Sequence, residues 1–300
     1  MKYIFNRTFY IIKNYGLFEF FKTLFRFLLT KNHKINLDEL QINSNSLDEI
    51  FLIFGTDKGK YDGKKTFYKI NKYSKSDKKF RNYKEWILRE NIYNFDYEMG
   101  TNYVSVYEKY FQPIRDSKLN ILEIGVAGGH SHASWYNYFK NSKIYGIDIR
   151  PEKEILYKGS RLEYNQIDCT NQKQVDKFIN KQIKFDIIID DSLHEYKAFI
   201  KNLINFFPSL NSGGYYFLED FFYKDKVLIE KRSFNKKFGK KLTEYDITMD
   251  EIFKCLIEKK YFENIYFDKD SQEYFHQNSS NIELFYPGHP SASIALIRKK

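Results

Sequence analysis

Cysteine is nearly absent: Cys169 and Cys255 are the only two in 300 residues. They stand in different segments with no C-x-x-C pair and no metal-ligand spacing. That excludes a disulfide framework or a cysteine-bound metal and fits a reducing, cytoplasmic compartment. No uninterrupted apolar run approaches the ~18 residues that a membrane-spanning helix requires. A secretory leader is not expected, because Arg7 and Lys13 cut the first apolar stretch and no small-residue cleavage pattern follows. The chain has no internal repeat. It also lacks G-x-G-x-x-G, which disfavours a nicotinamide-dependent oxidoreductase. No RNA-binding module accompanies its positive charge, which leaves a nucleic-acid methyltransferase or binder resting on charge alone.

What the chain has in excess is aromatic and basic residues, with 29 Phe, 26 Tyr and a formal charge of +10. With so much Lys, Asn and Ile beside them, the aromatics read as a compositional bias of the genome rather than as a function. The charge points to an acidic or membrane-linked partner and says nothing about fold. Lys2, Arg7, Lys13, Lys22, Arg26 and Lys31 stand against Glu19 in residues 1–31. Within that segment Leu17, Phe20, Phe21, Leu24, Phe25 and Leu28 recur at helical spacing, opposite Glu19, Lys22, Thr23, Arg26 and Thr30. An amphipathic helix is expected there, docked on its own domain or on a second copy in a homo-oligomer. Peripheral contact with the inner face of an anionic membrane is the alternative.

Residues 32–45 are polar and read as a linker, so 1–45 form an extension and 46–300 one domain. Ser46 with Glu49 three residues on starts a short helix, which runs into the glycine-bounded loop Gly55-Thr-Asp-Lys-Gly59. Residues 60–98 are rich in Lys and Tyr, a basic surface insertion rather than a lid, with one helix near 82–91. Tyr103–Phe111 reads as helical, ended by Pro113.

From Asn120 short apolar runs alternate with helical stretches. Strands are expected at 120–125, 143–148, 162–167, 185–190 and 214–219, with helices at 132–140, 171–181 and 195–207. A basic stretch at 224–241, a helix at 249–260 and two last strands at 262–268 and 291–298 follow, with a turn at 288–293 before the last. The fold class is therefore α/β, a doubly wound, mostly parallel, seven-stranded sheet with an N-terminal helical extension.

Acidic, glycine and histidine residues gather at the ends of these strands. Glu123-Ile-Gly125-Val-Ala-Gly128-Gly129 follows the first strand and opens a helix, a place where backbone can approach a ligand. Asp148 ends the second strand, where a carboxylate binds ribose hydroxyls, and Asp168 ends the third, within reach of an adenine edge. Asp190, Asp191 and His194 follow the fourth strand; Glu219 and Asp220 close the fifth. Neighbouring strands lie ~4.8 Å apart, so these carboxylates would repel unless a cation joined them. Hard oxygen donors favour Mg²⁺ or a similar ion, and His194 suits a general base for a hydroxyl proton. The plainer alternative is that Asp191 and Glu219 cap helices.

The motifs GTDKG (55–59), NY (102–103), LEIGVAGG (122–129), IYGIDI (144–149), FDIIIDDSLH (185–194) and GGYYFLED (213–220) resemble the metal-dependent class I S-adenosylmethionine O-methyltransferases of the macrocin/mycinamicin sugar type, whose relatives include proteins labelled cephalosporin hydroxylase. The resemblance covers Ser46–Gly59 and Asn102–Asp220. It implies a Rossmann-like methyltransferase fold and S-adenosylmethionine with Mg²⁺ as cofactors. Asp191, Glu219 and Asp220 would be metal ligands, with His194 as catalytic base aided by Asp191. Cofactor contacts would come from Thr56, Asp57, Lys58, Tyr103, Glu123, Gly125, Gly128, Ser131, Asp148, Asp168 and Asp190. The implied substrate is a sugar hydroxyl of a surface glycan or glycosylated metabolite, with a non-sugar small molecule or RNA as alternatives. The chain departs from the family pattern at Ser192-Leu193, where Gly-Ser usually precedes the histidine, at Ile167-Asp168-Cys169, where Gly-Asp-Gln is usual, and at Asn102, where His is common.

Overall fold

The computed structural model describes residue 17 and residues 34–40, 42, 44–60, 101–221, 247–287 and 292–300. The expected amphipathic helix at 1–31, the insertion beyond Lys60 with its helix at 82–91, the basic stretch at 224–241 and most of the turn at 288–293 lie outside them. Among the described residues no helix is long and apolar enough to cross a membrane, and both cysteines are free thiols.

The main sheet has seven strands. In chain order these are β2 (Asn120–Ile124), β3 (Lys143–Asp148), β5 (Leu162–Gln166), β6 (Phe185–Asp190), β7 (Leu210–Glu219), β8 (Ser279–Phe285) and β9 (Ile294–Lys299). They lie in the order β5-β3-β2-β6-β7-β9-β8. The first five are parallel; β9 runs antiparallel to β7, and β8 antiparallel to β9. This is a doubly wound, Rossmann-like sheet, parallel except for its last two strands. From β2 the chain winds outward through β3 and β5, then returns to lay β6 on the other side of β2. That reversal opens a crevice at the carboxyl ends of β2 and β6, where open α/β sheets hold their ligands.

Period-two alternation decides which side chains meet which helices. Leu122, Ile124, Ile188, Tyr216, Leu218, Ala295 and Ile297 pack on one face. That face is covered by α4 (Gln172–Ile179), α5 (Tyr196–Phe206), α6 (Met249–Ile257) and α7 (Lys269–Asn278). Ile121, Ile187, Ile189, Phe217, Ile294 and Leu296 pack on the other, beneath α1 (Leu47–Phe54), α2 (Val104–Phe111) and α3 (His130–Tyr138). Apolar residues on both faces leave these strands nearly continuous hydrophobic runs, as doubly covered parallel sheets require.

Local signals set the helix ends. The Ser46 side chain accepts from Glu49 N at 3.3 Å, and Gly55 closes α1 in the left-handed region at φ 73°. Thr248 and Glu251 form a capping box on α6.

Two expectations fail. The segment 32–45 is not a free linker where it is described: Ile35–Asn36 (β1) pairs with Tyr157–Lys158 (β4), and Leu37 is buried. Its polar residues serve as docking groups, since Asp38 accepts from Ser160 N at 2.8 Å and from the Tyr136 hydroxyl. The strand expected at 262–268 is irregular chain, followed by α7 and β8, which aromatic content alone did not reveal. Phe267 is buried against Phe275. The backbone here bonds to a side chain instead of a ladder: Gln272 accepts from Phe262 N at 3.0 Å and donates to Phe262 O at 2.9 Å and Phe267 O at 2.8 Å.

Gln272→Leu keeps the volume and strands three backbone groups. Each buried unsatisfied group costs about 1–3 kcal/mol, so urea unfolding should show a loss of roughly 3 kcal/mol. A loss below 1 kcal/mol would show that the loop is held by its aromatics alone.

Candidate active site

The crevice is assembled by a close crossing of two loops. Asp191 N donates to Ile124 O at 2.8 Å, binding the end of β6 to the end of β2. Gly125, at φ 91°, lies so near that a Cβ there would stand 2.1 Å from Asp191 O and 2.7 Å from Ser192 Cα. Only glycine permits that approach. On the other side of β6, Glu219 ends β7 and Asp220 turns at φ 57°, its N donating to Ser293 O at 2.7 Å. The turn sends two consecutive acids to different places.

Asp191, His194 and Asp220 form one cluster whose ligand-type atoms all lie within 4.8 Å of one another. His194 Nε2 is 3.5 Å from Asp191 Oδ1, and Nδ1 is 3.4 Å from Asp220 Oδ2. Glu219 is buried behind them, where it accepts from the Tyr107 hydroxyl and the Lys58 ammonium. Lys58 Nζ also donates to Asp191 Oδ2 at 2.6 Å, and the Tyr103 hydroxyl donates to Asp220. Tyr103 and Tyr107 are one helical turn apart, so both reach the same pair of acids.

Electrostatics follow from this packing. Burial disfavours the Lys58 ammonium, but Asp191, Glu219 and Asp57 outweigh it and hold the amine protonated. Burial pushes the Asp220 carboxyl up to about 6, with His194 and Tyr103 opposing and Asp191 adding to the rise.

The donor set fits a hard divalent ion. Mg²⁺ binds oxygen at ~2.0–2.1 Å, so opposite ligands stand ~4.2 Å apart, and the cluster can close on one with small side-chain movements. The crevice also fits an extended cofactor. Asp148 Oδ2 accepts from Ala127 N at 2.7 Å and Oδ1 from Arg150 N at 2.9 Å, which leaves a lone pair on each oxygen for further donors. Ile149 beside it is exposed.

The other expected contacts divide. Thr56 and Ser131 are buried near the crevice loops, Asp57 is half-buried, and Gly128 lies in the glycine turn. The Asp168 carboxylate accepts from Thr170 N at 2.9 Å and from its hydroxyl at 2.7 Å, and remains half-exposed. Tyr103 and Lys58 reach the acid cluster. Glu123 and Asp190 do not open to the crevice at all. Glu123 is fully buried and accepts from Trp135 Nε1 at 3.1 Å, with His132 Nδ1 at 3.1 Å on its other oxygen. Asp190 is fully buried and accepts from the Ser192 hydroxyl at 2.7 Å, Asn202 Nδ2 at 3.2 Å and the Tyr216 hydroxyl at 2.8 Å. Both are held by side chains of the interior beside the crevice loops. Tyr107 was not singled out by sequence; its spacing from Tyr103 was the available signal.

No protein-family profile matches the chain. Over 125 residues it is 31% identical to 8-demethyl-8-alpha-L-rhamnosyl tetracenomycin-C 2'-O-methyltransferase of Streptomyces olivaceus, covering 39% of this chain and 32% of that protein. Over 121 residues it is 30% identical to mycinamicin VI 2''-O-methyltransferase of Micromonospora griseorubida, covering 38% of this chain and 30% of that protein. The chain thus spans about a third of the length of the curated relatives it matches. Among solved structures it is similar to the MycE methyltransferase from the mycinamycin biosynthetic pathway in complex with Mg, SAH and mycinamycin VI. The identity is 23% and the TM-score 0.49, covering 66% of this chain and 49% of that one.

Burial pushes the Asp190 carboxyl up to about 6, against its hydrogen bonds from Ser192, Tyr216 and Asn202. An unfolded aspartate titrates near ~3.9. The folded state therefore binds the proton more tightly, and this contribution to stability is present below pH ~4 and lost as pH rises through about 6. At ~1.4 kcal/mol per unit the loss approaches roughly 3 kcal/mol. Asp190→Asn should flatten the fall between pH 4 and 6 in urea-unfolding curves recorded with EDTA. An unchanged slope would refute a buried, proton-binding Asp190.

Proposed function

We propose that this chain, a homologue of sugar O-methyltransferases over its sheet segment, transfers a methyl group from S-adenosylmethionine to a sugar hydroxyl with the help of a divalent cation. The observation that carries this is the meeting of Asp191, His194 and Asp220 beside the Gly125 crossing. An imidazole, two carboxylates and a close backbone approach share that crevice, which supports the reading. Asp191, Glu219 and Asp220 would hold the ion, which polarises a sugar oxygen and lowers its pKa.

The chain's own residues do the rest. The glycine turn and Asp148 bind and orient the cofactor, and the 55–58 loop with Asp57 flanks it. His194 would take the proton from the sugar hydroxyl, and S-adenosylmethionine, when bound, would supply the methyl group and be left as the neutral thioether. Asp191 and Asp220 flank the imidazole at 3.5 and 3.4 Å and hold its orientation. The Tyr103 and Tyr107 hydroxyls fix Asp220 and Glu219. Holding the two reactants in line removes much of the entropic barrier.

The relatives' names support glycosylated small molecules as the substrate class. A surface glycan precursor draws on the basic residues of 1–31 and 224–241, and contact with a membrane surface or a second copy on the amphipathic pattern of 1–31. A cytoplasmic setting agrees with the scarcity of cysteine.

S-adenosylhomocysteine at about 100 times its Kd should stabilise the protein by ~2.7 kcal/mol in thermal melts. Mg²⁺ should add a further shift that EDTA removes. No shift with S-adenosylhomocysteine would sink the methyltransferase reading.

His194→Ala should bind S-adenosylhomocysteine as before and lose on the order of 10²–10⁴ in kcat at neutral pH, the range for a positioned general base. Full turnover would move the base elsewhere.

A further inference from the structure

The proposed chemistry gives the Lys58 ammonium no step of its own. The Lys58 side chain is only 3% exposed, and its ammonium lies between Asp191 and Glu219. Its ring contact with Tyr103, 5.9 Å from Nζ to centroid, sets it against the residue that donates to Asp220. The three acids of the expected ligand set are thus all touched by Lys58 or by its immediate neighbour. The backbone leading to this amine is pinned: Thr101 N donates to Asp57 O at 2.9 Å, Asn102 N to Gly59 O at 3.2 Å and Val104 N to Lys58 O at 2.9 Å.

The difficulty for any second cation is geometric. Asp191 presents Oδ1 toward His194 and Oδ2 to Lys58 Nζ at 2.6 Å. An ion on Asp191 therefore binds the carboxylate that already carries the ammonium. Glu219 offers no relief, since Tyr107 takes one oxygen and Lys58 the other. Two cations sharing a half-buried carboxylate repel, and salt screens them less than it would at the open surface.

We propose that Lys58 is a positioning residue that stands in for the divalent cation: it holds Asp191 and Glu219 together while the ion is absent and yields them when the ion binds. Lys58 and the ion therefore compete, and the affinity for metal is set by how readily the 55–59 loop releases the amine. The inference rests on the proposed metal-assisted reading and adds a residue to it. The loop follows α1 and is hydrogen-bonded to residues 101–104, which open α2, so release of the amine is felt where Tyr103 and Tyr107 begin.

Two measurements on the full chain test this. Calorimetric titration with Mg²⁺ should show Lys58→Met binding on the order of tenfold more tightly than the parent, because the competing charge is gone. Lys58→Arg, which keeps that charge, should bind no more tightly than the parent. In the parent protein, acetylation by an N-hydroxysuccinimide ester, located by mass spectrometry, should spare Lys58 in EDTA and modify it at saturating Mg²⁺. Equal or weaker Mg²⁺ binding by Lys58→Met overturns the inference. So does a parent protein that binds Mg²⁺ while Lys58 stays unreactive, and that result leaves the methyltransferase reading intact. Should Lys58→Met not fold, the acetylation result in the parent decides. A parent that binds no Mg²⁺ removes the metal-assisted reading and this inference together.

Discussion

Carboxylates at the ends of two adjacent strands repel, and a pocket that gathers them depends on positive charge placed between them. Here Asp191 follows one strand, Glu219 and Asp220 close the next, and Lys58 lies between Asp191 and Glu219. The rest of the crevice serves that balance. Tyr103 and Tyr107 spend their hydroxyls on Asp220 and Glu219, and His194 faces both half-buried acids. A site built from like charges is costly to keep folded, which fits a function rather than a structural role: a stable core would use apolar side chains there.

The sheet makes this gathering possible because of one reversal in winding. With β6 laid beside β2 rather than beyond β5, the Gly125 and Asp191 loops must cross, and the missing Cβ of Gly125 is what lets them. A side chain at 125 would push the Asp191 backbone away, and with it the carboxylate that faces His194 and Lys58. Fold and site are coupled there more tightly than anywhere else in the described chain.

Much of this was legible in the sequence. β2, β3, β6 and the second half of β7 are apolar runs buried on both faces and recognisable from composition and length, while β5 is a partly buried edge strand. The acids and histidine at their ends marked the crevice. The segment 262–268 misled because Phe267 is buried by packing on α7 while the side chains of Gln272 and Asn264 bond the backbone. Hydrogen bonding of a loop to side chains leaves no periodic trace. Residues 34–40 misled for a related reason: a polar run reads as solvated until the partners of Asp38 and Asn36 are known.

The two acids that turned inward show what strand parity can add. In β2 the side chain of Glu123 shares a face with Ile121, the face that α3 covers, so it meets His132 and Trp135. In β6 Asp190 shares a face with Ile188, under α5, and meets Asn202. Both are still inside the strand, where alternation commits a side chain to one layer or the other. Asp191 and Asp220 come one residue later, after the ladder ends, and are free to face the crevice. In β2 and β6 the acid inside the strand is therefore a brace by position, and Asp191 and Asp220, just past the ends of β6 and β7, are the ones that can meet a ligand. Glu219 is the test of that rule, because it is the last residue of β7 and still reaches Lys58. It does so from below the crevice, as a buried partner of the amine, which is why its availability to a metal depends on what Lys58 does.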